Sequence, residues 1–170
     1  MFFFAAQIFS AQPTKQDSLW LPVKNFIGEW KGNGSSESGN GSYERSYTFI
    51  MNKRYIQVKN KSTYLPQEKN PKGEVHEDIG YISYDRMRKK FVLRQFHIEG
   101  FVNQYVQDSI STDGKNIVFL SKAIENIPAG WRAKETYRIA NENEFTETFE
   151  FAAPGKEFEV YSKVTLMRMN

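Results

Sequence analysis

The fold of this chain is decided by one stretch, Phe26-Ile27-Gly28-Glu29-Trp30-Lys31-Gly32-Asn33-Gly34, which stands ahead of a long series of strand-like segments. Glycines at alternate positions leave one face of a strand without side chains, which permits sharp bending or the close approach of another backbone. Trp30 shares that face and is large enough to plug one end of a core. The stretch therefore predicts the first strand of a β-barrel.

The rest of the sequence predicts that this strand belongs to an antiparallel meander. A short helical turn is expected at 21–27, followed by period-two alternation broken at intervals by turn residues. About ten strands are predicted, at 28–35, 43–51, 54–64, 74–84, 91–98, 101–110, 116–124, 131–140, 144–152 and 157–168. Consecutive strands with short turns pair with their neighbours, and closure removes exposed edges. We expect an all-β fold: a closed or nearly closed up-and-down barrel, capped at one end by the helical turn, with an internal cavity.

Composition limits the function classes. The 170 residues fit one domain, and the 14 Phe, 9 Tyr and 3 Trp suit a half-buried sheet or an apolar pocket. Basic and acidic residues number 23 and 20 and are spread along the chain, so neither nucleic acid nor an anionic membrane surface is an expected partner. The chain has no cysteine and two histidines outside any apparent ligand cluster, which predicts no metal site. Motifs for hydrolases, phosphate binding and dinucleotides are absent from the sequence.

The first twenty residues suggest export. The apolar run Met1 to Phe9 is too short to span a bilayer and leads into Ser10-Ala11-Gln12, a small-residue region suited to signal-peptidase cleavage. We therefore assign 1–12 to a clipped signal peptide, 13–20 to a polar leader and 21–170 to the barrel domain. This predicts a periplasmic or secreted protein without stable membrane insertion. The alternative is a cytoplasmic protein whose N-terminus is simply apolar.

The helical turn feeding Phe26-x-Gly28-x-Trp30, with a meander ending in a basic residue, resembles the calycin superfamily of lipocalins, fatty-acid-binding proteins and nitrobindin-like haem-binding barrels. The resemblance covers residues 21–168. The opening motif is most similar to the first strand of the nitrobindin-like group. The later pairs Gly80-Tyr81 and Tyr84-Asp85 resemble sequences of a related group of lipocalin-like bacterial domains of unknown function. The resemblance implies that Arg168, on the last strand, stacks over Trp30 beside Gly28 and closes the barrel end.

The same resemblance raises the question of haem. Nitrobindin-like barrels bind haem through a histidine on a late strand, but the segment 157–168 contains none. The candidate substitute ligand in that segment is Tyr161, which would bind ferric iron as tyrosinate. We therefore predict no cofactor and keep haem as an alternative.

The candidate cavity residues come from rows that share a strand face. Glu135 and Glu147 each interrupt an apolar row and, if buried, require a partner such as Arg45, Arg94 or Arg132. His97 lies on a strand with two mixed faces, where a structural and a ligand-orienting role are both open. Rows 43–51 and 101–107 look like pocket walls, and the loop 125–131 could cover a barrel mouth. The complete candidate set is Arg45, Tyr47, Arg94, His97, Tyr105, Glu135, Tyr137 and Glu147.

These features predict a binding protein that carries a small apolar or amphipathic molecule in the barrel without transforming it. Two alternatives remain at this point: haem or porphyrin binding of the nitrobindin type, and an enzyme that uses a buried carboxylate with His97 on an unknown small substrate. No catalytic residue is assigned, and the sequence does not determine the oligomeric state.

Overall fold

The computed structural model describes residues 15–169, which form a closed barrel of ten antiparallel strands. A short helix α1 (Lys15–Leu19) and a 3₁₀ helix (Leu21–Phe26) precede the barrel. The strands are β1 (Gly28–Ser36), β2 (Gly39–Ile50), β3 (Tyr55–Tyr64), β4 (Glu74–Asp85), β5 (Lys90–His97), β6 (Val102–Ile110), β7 (Asn116–Glu125), β8 (Arg132–Asn141), β9 (Glu144–Ala152) and β10 (Glu159–Arg168). Each strand pairs with its neighbours in the chain, and β1 pairs with β10. The predicted fold class is confirmed.

Barrel closure depends on the glycines of β1. In the β1–β10 register, Trp30 pairs with Arg168 and Gly34 pairs with Val164. A Cβ at Gly32 would collide with the backbone carbonyl of Thr165, and one at Gly34 with that of Lys163. The alternate glycines therefore allow the last strand to approach the first more closely than any side chain would permit.

One end of the barrel is closed by aromatic packing beneath the 3₁₀ helix. Pro22 lies in the first turn of this helix, where its missing N–H costs no hydrogen bond. Phe26 at its end packs against the rings of Tyr47 and Phe145, with centroids 5.5 and 5.1 Å away. The Trp30 indole N–H donates to the Phe26 carbonyl at 2.7 Å. We call this region the closed end.

Arg168 completes the closed end from β10. Its guanidinium lies 4.2 Å from the centroid of the Trp30 ring, as the family resemblance implied. It also donates to the carbonyl oxygens of Ile27 at 2.7 Å and Asn25 at 2.8 Å. A Cβ at Gly28, whose φ is +129°, would stand 2.7 Å from Arg168 Nη1. The arginine thus ties the last strand to the 3₁₀ helix.

Two details of the N-terminal half differ from the sequence analysis. Trp20, assigned to the polar leader, is only 1% exposed and donates from its indole to the Lys53 carbonyl at 2.7 Å. The β2–β3 connection is longer than the predicted Asn52-Lys53 turn. Three consecutive residues in it adopt positive φ, namely Met51, Asn52 and Lys53. Met51 therefore leaves the inner row and is 69% exposed. The proposed signal peptide lies outside the described residues.

No helix in the described part of the chain has the length and apolar character needed to cross a membrane.

Candidate functional site

The barrel end opposite the 3₁₀ helix holds a cavity of about 350 Å³, which we call the open-end cavity. This volume is at the lower limit of typical small-molecule sites. Seven aromatic or aliphatic side chains contribute to its lining: Tyr43, Tyr64, Phe101, Ile127, Phe149, Phe151 and Tyr161. Behind Phe151 stacks the ring of Trp131, with centroids 4.7 Å apart. Ile127 brings the loop between β7 and β8 to the cavity. The barrel therefore contains a cavity, as the strand count predicted, at the end opposite the 3₁₀ helix.

A buried ion pair forms part of the cavity wall. Arg45 and Glu147 are 6% and 7% exposed, and Arg45 Nη2 donates to Glu147 Oε1 at 2.7 Å while Nε lies 3.2 Å from both carboxylate oxygens. Arg45 Nη1 donates to the backbone carbonyls of Glu44 at 3.0 Å and Lys61 at 3.2 Å. Burial alone would lower the pKa of Arg45, but the attraction of Glu147 raises it overall. Arg45 therefore stays charged, and most of its donors are already used.

Two further buried carboxyl groups face the same space without a cation of their own. Glu135 is buried, and its Oε2 has no hydrogen-bond partner within the described part of the chain. Burial, with repulsion from Glu147 and Asp78, raises the pKa of Glu135 well above its usual value. Burial likewise raises the pKa of Asp78 to about 6, although Arg45 and His76 act in the opposite direction. The cavity wall therefore holds more carboxyl groups than cationic partners, and burial disfavours the ionisation of all of them at once.

The two histidines meet on this wall. His97 Nδ1 lies 3.3 Å from His76 Nε2, and His76 Nδ1 lies 2.6 Å from Glu99 Oε1. On its other side, His97 Nε2 is 3.2 Å from Asn103 Nδ2. The His97 ring stacks on Phe101 with centroids 4.1 Å apart. Burial and the neighbouring His76 lower the pKa of His97 to about 4, so His97 is neutral at pH 7.

The sequence analysis found no ligand cluster around the histidines, and that interpretation was wrong. His76, Asp78 and His97 offer ligand atoms that all lie within 4.8 Å of one another. His76 and Asp78 share a face of β4 because they are two residues apart, and the β4–β5 register places His97 opposite Asp78. The two predicted strands and the Glu99-Gly100 turn already implied that these side chains are close. The cluster becomes evident only when the cross-strand register is known.

The structure sorts the candidate residues into three groups. Arg45, His97, Glu135 and Glu147 line the open-end cavity. The second group lies in the barrel core, outside the cavity lining, and consists of Tyr47, Tyr105 and Tyr137. Burial raises the pKa of each of these hydroxyl groups. Arg94 is exposed on the outer face, so its place in the candidate site was wrong.

The correction for Arg94 has a simple cause. The inward row of β5 consists of buried Phe91, Leu93 and Gln95 with half-buried His97, so position 94 must point outward. Arg132 is also exposed and does not pair with the buried acids. Glu147 is partnered by Arg45 instead. The predicted set lacked six polar side chains that line the cavity from β3, β4 and β5, namely Asn60, Ser62, Glu74, His76, Asp78 and Gln95.

Comparisons with known proteins add information on the fold. No family model matches this chain, and no curated protein matches it by sequence. Among solved structures, the crystal structure of Rv2717c from M. tuberculosis is similar, with a TM-score of 0.68 over 89% of this chain and 98% of that chain. The sequence identity is 17%. At this identity, the similarity shows the fold alone. It is consistent with a calycin-like barrel.

Proposed function

We propose that this protein binds and carries a small amphipathic molecule in the open-end cavity, and that the molecule has a cationic or strongly hydrogen-bond-donating head group. The observation that carries the proposal is the composition of the cavity: aromatic side chains surround a buried wall that is rich in carboxyl groups. An apolar body would pack against the aromatic residues, and the head group would reach the acids.

The sign of the head group follows from the charges that line the cavity. The acidic lining residues are Glu74, Asp78, Glu99, Glu135 and Glu147, and the arginine among the lining residues is Arg45. Since Arg45 is already paired with Glu147, His76 lies 2.6 Å from Glu99 and His97 is neutral, the carboxylate of a fatty acid would find no unpaired cation among these lining residues. A protonated amine would instead offer a cation to Asp78 and Glu135, whose pKa values are raised by burial first and by repulsion from Glu147 second.

The alternatives have less support from the described residues. For haem, Tyr161 lies at the cavity as a residue that is 40% exposed, and β10 provides no histidine. For an enzyme, no substrate is indicated, and His97 is held in a chain of hydrogen-bonding groups. We also propose that the barrel is calycin-like, and the Arg168–Trp30 stack together with the helical cap supports this relationship.

The test is a titration with two ligands that differ only in head group, 2-phenylethylamine and 3-phenylpropanoate. Calorimetry and native mass spectrometry should show one amine bound per chain, at least tenfold more tightly than the acid. Binding should also change the fluorescence of Trp131, which is stacked on Phe151, and this change should disappear in Trp131→Phe. Tighter binding of the carboxylate, or no binding of either compound or of longer alkylamines, would overturn the proposal.

A variant pair locates the binding event. Glu135→Gln preserves the shape of a buried side chain and removes its charge, so the amine should bind at least tenfold more weakly. Glu157→Gln removes an exposed carboxylate between β9 and β10 and should leave the affinity unchanged. Equal losses in the two variants would indicate a general effect of net charge rather than the proposed site.

A further inference from the structure

We propose that the wall of the open-end cavity contains a site for a divalent first-row transition metal ion, with His76 Nε2, His97 Nδ1 and an oxygen of Asp78 as ligands. This inference goes beyond the carriage of an amphipathic molecule and does not depend on it. It rests on the short distance between the two histidines of this chain, which lie beside the buried Asp78.

The spacing of the ligand atoms suits a metal ion. Two imidazole nitrogens bound tetrahedrally at about 2.0–2.1 Å from a zinc ion stand roughly 3.3 Å apart. His76 Nε2 and His97 Nδ1 are 3.3 Å apart in the structure. Asp78 Oδ2 lies 3.8 Å from His76 Nε2, so a small rotation of its carboxylate would bring it to the same ion. The three residues therefore need little rearrangement to bind the metal.

Each proposed ligand is oriented by a second polar contact, as metal ligands usually are. His76 Nδ1 is 2.6 Å from the Glu99 carboxylate, which fixes the proton on that nitrogen and leaves Nε2 free to bind. Asp78 Oδ1 accepts from Asn60 Nδ2 at 2.9 Å and from Gln95 Nε2 at 3.4 Å, which leaves Oδ2 directed toward His76.

The contact between His97 and Asn103 can adapt to a metal-bound His97. Asn103 Oδ1 is buried without a hydrogen-bond partner in the described residues, while Nδ2 faces both His97 Nε2 and the Tyr105 hydroxyl. When His97 binds a metal through Nδ1, its Nε2 carries the proton and needs an acceptor. Rotating the Asn103 amide by half a turn would supply one, because Oδ1 would then accept from both His97 and Tyr105.

The donor set points to a class of metal. Two nitrogens and one oxygen, in a chain without cysteine, suit Zn²⁺, Co²⁺ or Ni²⁺ better than Ca²⁺ or Mg²⁺, which prefer all-oxygen sites. Three protein ligands leave at least one coordination position open. A divalent cation would also compensate the negative charge of Asp78, since Arg45 is already paired with Glu147.

Without a metal, the same geometry permits a simple hydrogen bond in which His97 Nδ1–H donates to His76 Nε2. The experiment must distinguish these cases, so it begins with full-length protein stripped of metal by a chelator. Calorimetry should show one Zn²⁺ bound per chain, and Co²⁺ should give the intense visible bands of a four-coordinate site. Weak six-coordinate Co²⁺ bands, or binding without defined stoichiometry, would overturn the proposal.

Variants assign the ligands. His97→Gln and Asp78→Asn should each weaken Zn²⁺ binding by at least 100-fold, and Glu99→Gln by roughly tenfold, as expected of a residue that orients a ligand. The matched control is Glu77→Gln, which removes an exposed carboxylate on the opposite face of β4 and should have no effect. Unchanged affinity in His97→Gln and Asp78→Asn would show adventitious binding only.

A measurement on the unaltered chain covers the case in which a variant fails to fold. Imidazole ¹⁵N spectra should show Zn²⁺ perturbing His76 Nε2 and His97 Nδ1, while the other two ring nitrogens keep their protons. Perturbation of neither histidine would contradict the site. The metal test and the amine titration are independent of each other, because 2-phenylethylamine is titrated into metal-free protein. Either proposal can therefore fail while the other stands.

Discussion

The inward row of β9 runs from one end of the barrel to the other and encounters two different environments. Phe145 at the closed end is completely buried and contacts the rings of Phe26 and Trp30, with centroids 5.1 and 4.7 Å away. Phe151 at the open end is half-buried and lines the cavity. Between them lies Glu147, paired with Arg45. The difference shows that the fold is stabilised by packing at one end, which leaves the other end able to hold polar groups and space.

The largest expected effect tests this contrast directly. Phe145→Ala removes a ring from the packed end and should lower the free energy of unfolding by about 3–5 kcal/mol. Phe151→Ala makes the same chemical change on the same strand but at a half-buried position, so its cost should be below about 1 kcal/mol. Urea unfolding at pH 7, followed by circular dichroism, measures both. Similar losses in the two variants would mean that the open end is packed as tightly as the closed end.

The second effect concerns the ion pair that lies between the two ends. Arg45→Met leaves Glu147 buried without its cation and should cost about 3 kcal/mol in the free energy of unfolding. The double variant Arg45→Met/Glu147→Leu removes both charges and should recover most of that loss, because an uncompensated charge is more costly than an apolar pair. The same urea titration provides the comparison. A double variant as unstable as Arg45→Met would assign the loss to the hydrogen bonds that Arg45 makes to backbone carbonyls.

The closed end could be predicted from the sequence, because its determinants are local or follow a simple period. The alternate glycines, Trp30 and the period-two rows indicated β1 and the meander directly. Arg168 was found through the family resemblance, and its stacking over Trp30 is present in the structure. Trp20 was missed because a single aromatic residue in a polar stretch carries no periodic signal.

The open end was harder to predict because its chemistry depends on pairing across strands. Glu135 and Glu147 line the cavity, as expected if their rows point inward, but Arg94 was proposed as a charge partner for these acids although its row is the one opposite His97. His76, Asp78 and His97 come together only through the β4–β5 register. A shift of that register by one residue would have placed Asp78 and His97 on opposite faces. Site prediction therefore requires the register in addition to the strands.

The smallest expected effect is a pH dependence at the open end. Because burial and neighbouring carboxylates raise the pKa of Glu135 in the folded state, the folded chain holds a proton that the unfolded chain releases near pH 4.3, the ordinary value for glutamate. The stability that this proton supplies is complete below that pH and is lost as the pH rises through the higher folded pKa. Glu135→Gln lacks this titration, so it should gain stability relative to the unaltered chain between pH 4 and pH 8.

The measurement is the difference in the free energy of unfolding between the two proteins at both pH values, with the exposed-site variant Glu157→Gln as the control. The control should show no comparable rise, since Glu157 is exposed and lies outside the buried wall of the cavity. A difference that stays flat for Glu135→Gln would mean that the carboxylate finds a partner when ionised. Glu135 would then be no unpartnered acid, and the reason to expect a cationic ligand at the open end would be lost.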